Sequence, residues 1–259
     1  MRSGIQIEGA SVVRPVASGY RSVHRLLNHL QQAGFVGSPQ VLAVEGHCER
    51  LTFLAGDTYE DAGSGPIATE RALVSAAQLL RKLHDCSASF LPRQAIDDQQ
   101  WLLPAQQPAE VICHGDYAPY NVVLKGDQVV GVFDFDAAHP GPRLWDLAYA
   151  VYCWAPLKSL PNLSVAEIDK SVERACSFLD AYGLSFDRRA FLVDMMIQRL
   201  QALVAFMREQ ATDGDEKFNA DINAGHLDRY LADIDYLQCH DLWLTDLLMN
   251  RANPSTGPR

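Results

Sequence analysis

Residues 111–150 read VICHGDYAPYNVVLKGDQVVGVFDFDAAHPGPRLWDLAYA, and the fold is decided in this stretch. Two strand-like runs, 121–124 and 128–134, flank Lys125-Gly126-Asp127, where Gly-Asp supplies the turn chemistry of a β-hairpin. A polar loop, His114 to Tyr120, precedes the first strand, and Asp134-Phe135-Asp136 lies at the end of the second. Closing the hairpin brings Asn121 close to Asp134, although thirteen positions separate them. Asp116 lies in the loop, five positions before Asn121. Singly, an Asp or Asn beside a Gly is more often a turn residue or a helix cap than a reactive group. The combination of loop, spacing, hairpin and second acidic strand end carries the functional reading.

That spacing is the D-x-x-x-x-N of a kinase catalytic loop, and Asp134 falls where the metal-binding Asp of a D-F-G segment stands. The segments HGDYAPYN, VFDFD and PGPRLWDLAYA resemble the aminoglycoside phosphotransferase and choline kinase-like family, with its H-G-D-x-x-x-x-N and a following I-D-F/W-x. The resemblance implies that Asp116 is the catalytic base and that Asn121 and Asp134 are magnesium ligands. His114 and Asp146 are then structural supports of the loop. Asp136 takes the glycine place of D-F-G. The implied fold is a two-lobed protein kinase-like α+β fold, with a small mixed N-terminal lobe (1–56) and a mainly helical C-terminal lobe (57–259). ATP and Mg²⁺ are the implied cofactors. Aminoglycosides, choline and other amino alcohols or sugars are the implied hydroxyl acceptors, among which nothing in the sequence selects.

The residue types suit this chemistry. Magnesium takes oxygen ligands in near-octahedral geometry and usually keeps several waters, so one carboxylate, one amide oxygen and the nucleotide phosphates suffice. Phosphoryl transfer asks mainly for positioning and charge neutralisation. A carboxylate in reach of the acceptor hydroxyl orients it and takes its proton, an effect of roughly 10²–10⁴-fold for general bases.

Upstream, 5–7 and 11–14 read as short strands around Glu8-Gly9. A helix follows over 20–33, with Val23, Leu26, Leu27 and Leu30 on one face and Gly34 as its stop. Residues 41–45 and 49–54 make a second strand pair about Gly46-His47. Strand, strand, helix, strand, strand is a kinase-like small lobe in reduced form, and Leu54 at its exit is the expected adenine-contacting hinge. The lobe departs from the family: Gly4 and Gly9 make no G-x-G-x-x-G, so the phosphate-covering hairpin is absent or shortened. Arg14 stands near the place of the phosphate-binding lysine, keeping the charge on a planar fork; a solvated strand end before Pro15 is the competing reading. The helix glutamate that holds this lysine is missing, because 20–33 contains no acid, and His24 is the nearest inward polar candidate.

Between the lobes, 55–66 reads as a linker. Thr69 caps a helix through about Asp85, with His84 a packed histidine near its end. Residues 87–110, with Pro92, Pro104 and Pro108, read as irregular. Downstream of the core segment, 139–143 reads as a stiff turn, with Arg143 in a structural ion pair or, alternatively, holding a phosphate. An apolar helix follows Asp146 over 147–155. Ser164-Val165-Ala166-Glu167 is a capping box opening a helix to Tyr182, stopped by Gly183. Further helices are expected over 187–210 and, around Gly225, over 216–250, with a loose tail after Asn253. Asp213, Asp215, Glu216 and Asp221 read as a solvated loop or as an entry for a cationic substrate. Trp154, Phe206, Tyr230, Tyr236 and Trp243 read as core rather than pocket.

A chain of 259 residues with 48% hydrophobic and 21% charged residues is ordinary for a globular protein. A net charge of −10 argues against nucleic-acid and anionic-membrane partners and is compatible with a cationic substrate. No signal-peptide core and no run of about 18 apolar residues occurs, from which a cytoplasmic location is expected. Six cysteines without a C-x-x-C are expected to be buried free thiols, neither a disulfide framework nor a zinc site. The leading expectation is an ATP- and Mg-dependent kinase of a small-molecule hydroxyl. A nucleotide-binding regulatory protein that kept the fold and lost efficient transfer is second, because of the missing Gly-rich loop. A metal-dependent hydrolase is a distant third, since it calls for more convergent His or carboxylate ligands.

Overall fold

A computed structural model describes residues 4–91, 100–159 and 164–251. The chain divides into two compact units, Met1–Asp146 and Leu147–Arg259.

The first unit opens with an antiparallel sheet built from β1 (Gln6–Glu8), β2 (Ser11–Pro15), β3 (Val41–Glu45) and β4 (Cys48–Thr52), in the order β1-β2-β4-β3. Between β2 and β3 runs α1 (Tyr20–Gln32), which buries Val23, Leu26, Leu27 and Leu30. Each such side chain contributes about 1.5–3 kcal/mol when fully removed from water. The expected order of strand, strand, helix, strand, strand is therefore present. The β2–β4 register sets Arg14 directly opposite Glu49.

α2 (Glu70–Ala88) begins at Thr69, whose hydroxyl accepts the Ala72 N–H at 3.2 Å. Its buried face includes Leu73, Ala76, Ala77, Leu80 and Leu83. After β5 (Val111–Cys113), the expected hairpin forms from β6 (Val122–Lys125) and β7 (Gln128–Val132), with an irregularity at Val123/Leu124. Residues 139–141 are a short strand, β8 (His139–Gly141), and not only a stiff turn. β8 pairs antiparallel with β5, Pro140 standing opposite Ile112. Proline is tolerated there because this ladder has only two strands.

The compact units divide at 146/147, whereas the expected lobes divide at 56/57. The residues after β4 are tied to the hairpin, Asp57 and Leu124 exchanging both backbone hydrogen bonds at 2.9 Å, and Val132 N–H donates to Gly37 O at 2.8 Å. At Gly56 (φ +152°) an added Cβ would lie 2.3 Å from the Leu124 carbonyl oxygen, so only glycine admits this approach. Small sheet and hairpin thus belong to one compact unit.

α3 (Arg143–Trp154) starts four residues earlier than expected and places Asp146 in its first turn. The second unit continues with α4 (Val165–Tyr182), α5 (Phe186–Arg189), α6 (Leu192–Thr212), α7 (Glu216–Asn223) and α8 (His226–Asn250). The capping box at Ser164/Glu167 is present, and Gly183 closes α4 in the left-handed conformation. The single helix expected over 187–210 is two, α5 and α6, separated at Ala190-Phe191. Asp215 caps α7 by accepting the Lys217 and Phe218 N–H groups, so one member of the acidic cluster is a structural cap. Trp154 is fully buried, as expected of core, but Trp243 is 39% exposed. All six cysteines are free, yet only Cys113 and Cys176 are buried; Cys48, Cys86 and Cys153 are half-buried and Cys239 is exposed. Pro92 and the tail after Asn253 lie outside the described residues. Among the described residues no helix is long and apolar enough to cross a membrane.

Candidate active site

The site grows from the loop between β5 and β6. Gly115 sits there at φ +81°, and a Cβ on it would lie 2.1 Å from the Ala137 carbonyl oxygen. No side chain fits, so the H-G-D glycine is required by the close approach of the two backbones. Asp146 pins this loop from beneath. Its Oδ2 accepts the His114 N–H at 2.7 Å and meets His84 Nε2 at 3.0 Å, and its Oδ1 accepts the Gly115 N–H at 2.9 Å. Asp146 is fully buried. Burial by itself raises a carboxyl pKa, but the hydrogen bond from His84 and the proximity of His84 and His114 prevail and hold it at about 2. His84 is the packed histidine expected from the sequence, and its partner is a residue 62 positions away.

His114 links the loop to the end of β7. Its Nδ1 accepts the Asp116 N–H at 3.3 Å, which leaves Nε2 carrying the proton that it donates to the Phe133 carbonyl at 3.0 Å. Its ring packs against Phe135, centroids 4.7 Å apart. Asp146 and the His114 side chain thus both accept backbone N–H groups of the loop.

Asp116 and Asn121 meet directly. The Asn121 Nδ2 donates to Asp116 Oδ2 at 2.8 Å and to the Asp116 carbonyl at 2.9 Å, and so directs the amide oxygen of Asn121 away from Asp116. The other carboxylate oxygen, Oδ1, accepts the Tyr120 hydroxyl at 2.7 Å. The Asn121 carbonyl accepts the Phe133 N–H at 2.9 Å, so the hairpin sets Asn121 beside the residue that precedes Asp134.

Asp134 adopts the left-handed conformation (φ 63°, ψ 63°), the one non-glycine residue with positive φ among the described residues. Such a conformation costs roughly 1–3 kcal/mol and persists where the surroundings enforce it. The Arg14 Nη1 donates to Asp134 Oδ1 at 2.9 Å. The same guanidinium donates Nη2 to Asp136 at 2.8 Å and Nε to Glu49 at 2.6 Å. Arg14 is buried, so it is not a solvated strand end. Burial disfavours its charge, but Asp136, Asp134 and Glu49 outweigh burial and raise its pKa further. Glu49 in turn bonds His24 Nε2 with its second oxygen. Burial pushes the Glu49 carboxyl up; His24 and Arg14 more than reverse this and bring it below its ordinary value.

Thus the acid missing from α1 stands on β4. Arg14 and Glu49 come from paired strands, with His24 of α1 behind them. Nothing local in the sequence singles out Glu49, because its role depends on a strand register across 35 positions. Asp136 and Tyr120 join the site without a local signal of their own, although both lie inside the motif segment. Leu54 is half-buried after β4, its Cδ1 against Gly131 of β7. Arg143 pairs with Asp85 at 2.8 Å, the structural role, while burial and then the bonds from Arg81 and Arg143 set the balance that lowers the Asp85 pKa.

The donor set fits a hard divalent ion bound together with phosphates. An amide oxygen and a carboxylate occupy neighbouring strand ends, and a buried guanidinium already lies against Asp134. Among the described residues no group of three His, Cys, Asp or Glu side chains converges on a metal position. Two protein ligands are what magnesium requires when phosphates and waters complete its shell.

The sequence profile of a phosphotransferase enzyme family matches residues 12–103 and 88–192. The trifolitoxin immunity protein of Rhizobium leguminosarum bv. trifolii is 29% identical over 205 residues, covering 76% of each chain. Among solved structures, a choline/ethanolamine kinase family protein from Mesorhizobium loti superposes with a TM-score of 0.62 at 14% identity, covering 95% of this chain and 89% of that one. An amicoumacin kinase in complex with AMP-PNP and Ca²⁺ superposes with a TM-score of 0.60 at 13% identity, covering 86% of this chain and 81% of that one. The fold is that of the protein-kinase-like phosphotransferases, and the chain belongs to the phosphotransferase enzyme family.

Proposed function

We propose that this chain transfers the γ-phosphoryl group of a magnesium-bound nucleoside triphosphate to a hydroxyl of a small molecule. The observation that carries the reading is the Asp116–Asn121 contact at 2.8 Å on a loop held by Asp146, next to a strand end bearing Asp134. Asp116 is the base that orients the acceptor hydroxyl and receives its proton. The amide oxygen of Asn121 and the carboxylate of Asp134 are the metal ligands. The ion supplies neutralisation of phosphate charge when bound. Arg14 is the phosphate-side cation, taking the place of a lysine, and its fork spans Asp134 and Asp136 before nucleotide enters. Leu54 is the residue proposed to flank the base of the nucleotide, and His114 and Asp146 keep the loop in shape. In lobe boundaries the reading keeps 1–56 and 57–259 as the nucleotide-covering and catalytic parts.

The known chemistry of the similar structures supports a nucleotide and a small hydroxyl acceptor. Choline, ethanolamine, aminoglycosides and amicoumacin form the first acceptor panel, and the name of the immunity protein adds trifolitoxin. The test is a thermal-shift and transfer assay on three proteins. Nucleotide with magnesium is expected to raise the Tm of wild type by mass action. Asp134→Ala is expected to lose the magnesium-dependent part of that rise, and Asp116→Asn to keep the rise and lose transfer. A second reading, a nucleotide-binding protein with little transfer, is favoured by one observation: β1 (Gln6–Glu8) and β2 are joined by Gly9-Ala10 alone, which is not a G-x-G-x-x-G loop. A nucleotide-dependent Tm rise without turnover on the panel or on metabolite extract would establish the second reading over the first.

A further inference from the structure

The hydroxyl of Tyr120 lies within hydrogen-bond distance of the carboxylate proposed as the base. Its oxygen is 2.7 Å from Oδ1 of Asp116, with the phenol as donor and the proposed base as acceptor. The other carboxylate oxygen is engaged by Asn121 at 2.8 Å. An incoming hydroxyl therefore finds each oxygen of Asp116 already accepting a bond, and the bond at Oδ1 comes from a group of the same chemical kind as the acceptor. Tyr120 is not enclosed: it is 41% exposed. It stands on the short 3₁₀ turn Pro119–Asn121, which opens with a proline and ends at the buried Asn121. Its backbone is thereby held in place, and the Asn121 N–H donates to the Ala118 carbonyl at 3.0 Å across the same turn.

Resting on the phosphotransferase reading above, we propose that Tyr120 is a self-phosphorylation site, modified within the same molecule by the Asp116 centre. The donor is a magnesium-bound nucleoside triphosphate. The phenolic oxygen attacks the γ-phosphorus; the Oη–Pγ bond forms as the bond from Pγ to the β-bridging oxygen breaks. The nucleoside diphosphate leaves with that electron pair, and the phenolic proton passes to Oδ1 of Asp116 and then to solvent. Reaction within one chain has a physical advantage here, because a pre-positioned nucleophile loses no translational or rotational freedom at the reacting centre; effective molarities of about 10⁵ M and more are known for well-oriented intramolecular reactions. The product carries about −1.5 to −2 charges next to Asp116 and fills the acceptor's place. Modified chains are thereby closed to external acceptors, and the reaction stops at one phosphoryl group per chain.

The experiment uses the full chain with magnesium and γ-labelled ATP and no added acceptor, followed by peptide mapping. Mapping is repeated on wild type and Asp116→Asn as isolated from cells, which reads the modification without any assay. The expected result is a single phosphoryl group on Tyr120, formed at a first-order rate that does not change over a tenfold range of protein concentration. Tyr120→Phe is expected to lose the label, and Asp116→Asn to lower its rate by about 10²-fold or more. If wild type consumes ATP, or phosphorylates compounds in metabolite extract, while Tyr120 stays unmodified, this inference fails and the phosphotransferase reading stands. Label on Tyr120 at a rate proportional to protein concentration refutes transfer within one chain. Absence of any magnesium-dependent ATP consumption overturns both.

Discussion

Replacing Asp146 by Asn tests how the catalytic loop is held. The carboxylate accepts three hydrogen bonds at 2.7–3.0 Å, from His114 N–H, Gly115 N–H and His84 Nε2, and is wholly removed from solvent. Asparagine has the same shape, but one oxygen becomes an NH₂ donor facing a donor. At least one backbone N–H is left buried without an acceptor, which costs about 1–3 kcal/mol, and the remaining bonds lose their charge assistance. We expect a total loss of about 3 kcal/mol, from the unpaired N–H together with the weakening of the other bonds to a charged acceptor. The pH dependence separates this cause from a packing defect. The folded-state pKa of Asp146 is about 2, below its ordinary 3.8. A depressed pKa contributes stability that is fully present above the unfolded value and disappears as pH falls through the folded value. The difference of nearly two units corresponds to about 2 kcal/mol, lost between about pH 4 and pH 2. The assay is urea denaturation of both proteins at pH 7 and through the acid range, with hydrogen exchange at the Gly115 amide as the local readout. A variant within about 0.5 kcal/mol of wild type at pH 7, or a difference that stays constant as the pH falls from about 4 to about 2, would refute the argument, since surface-like substitutions lie in that range.

Three further outcomes follow from single contacts. Gly115→Ala places a Cβ 2.1 Å from the Ala137 carbonyl oxygen at a φ of +81° and is expected to destabilise by about 3 kcal/mol or more, read by denaturation midpoint, with loss of transfer. Glu49→Gln removes one of three carboxylates on Arg14 and is expected to cost about 1–3 kcal/mol and to weaken nucleotide binding in a titration, whereas Glu45→Gln on β3, which is exposed, is expected to stay within about 0.5 kcal/mol of wild type. Ser164→Ala breaks both halves of the capping box at α4 and is expected to lower stability by about 1 kcal/mol without changing nucleotide binding.

Motif chemistry and local periodicity are legible in the sequence itself. The D-x-x-x-x-N spacing, the Gly-Asp turn and the strand runs on either side identify the loop and hairpin, because all of them are set by neighbours within about fifteen residues. The capping box at Ser164, the glycine stops of α1 and α4, and the apolar face of α1 are local for the same reason. What the sequence leaves open depends on distant partners. The acid that holds Arg14 is Glu49 on β4, and a strand register chose it; His84 and Asp146 meet across 62 positions. The cysteines show the limit from the other side, since composition predicts burial for all and packing delivers it to Cys113 and Cys176 alone. Local backbone preferences and side-chain period act over a turn or two and can be read along the chain. The ion-pair network that orients Arg14 arises only when strands from opposite ends of the first unit are brought together, so tertiary packing alone decided it.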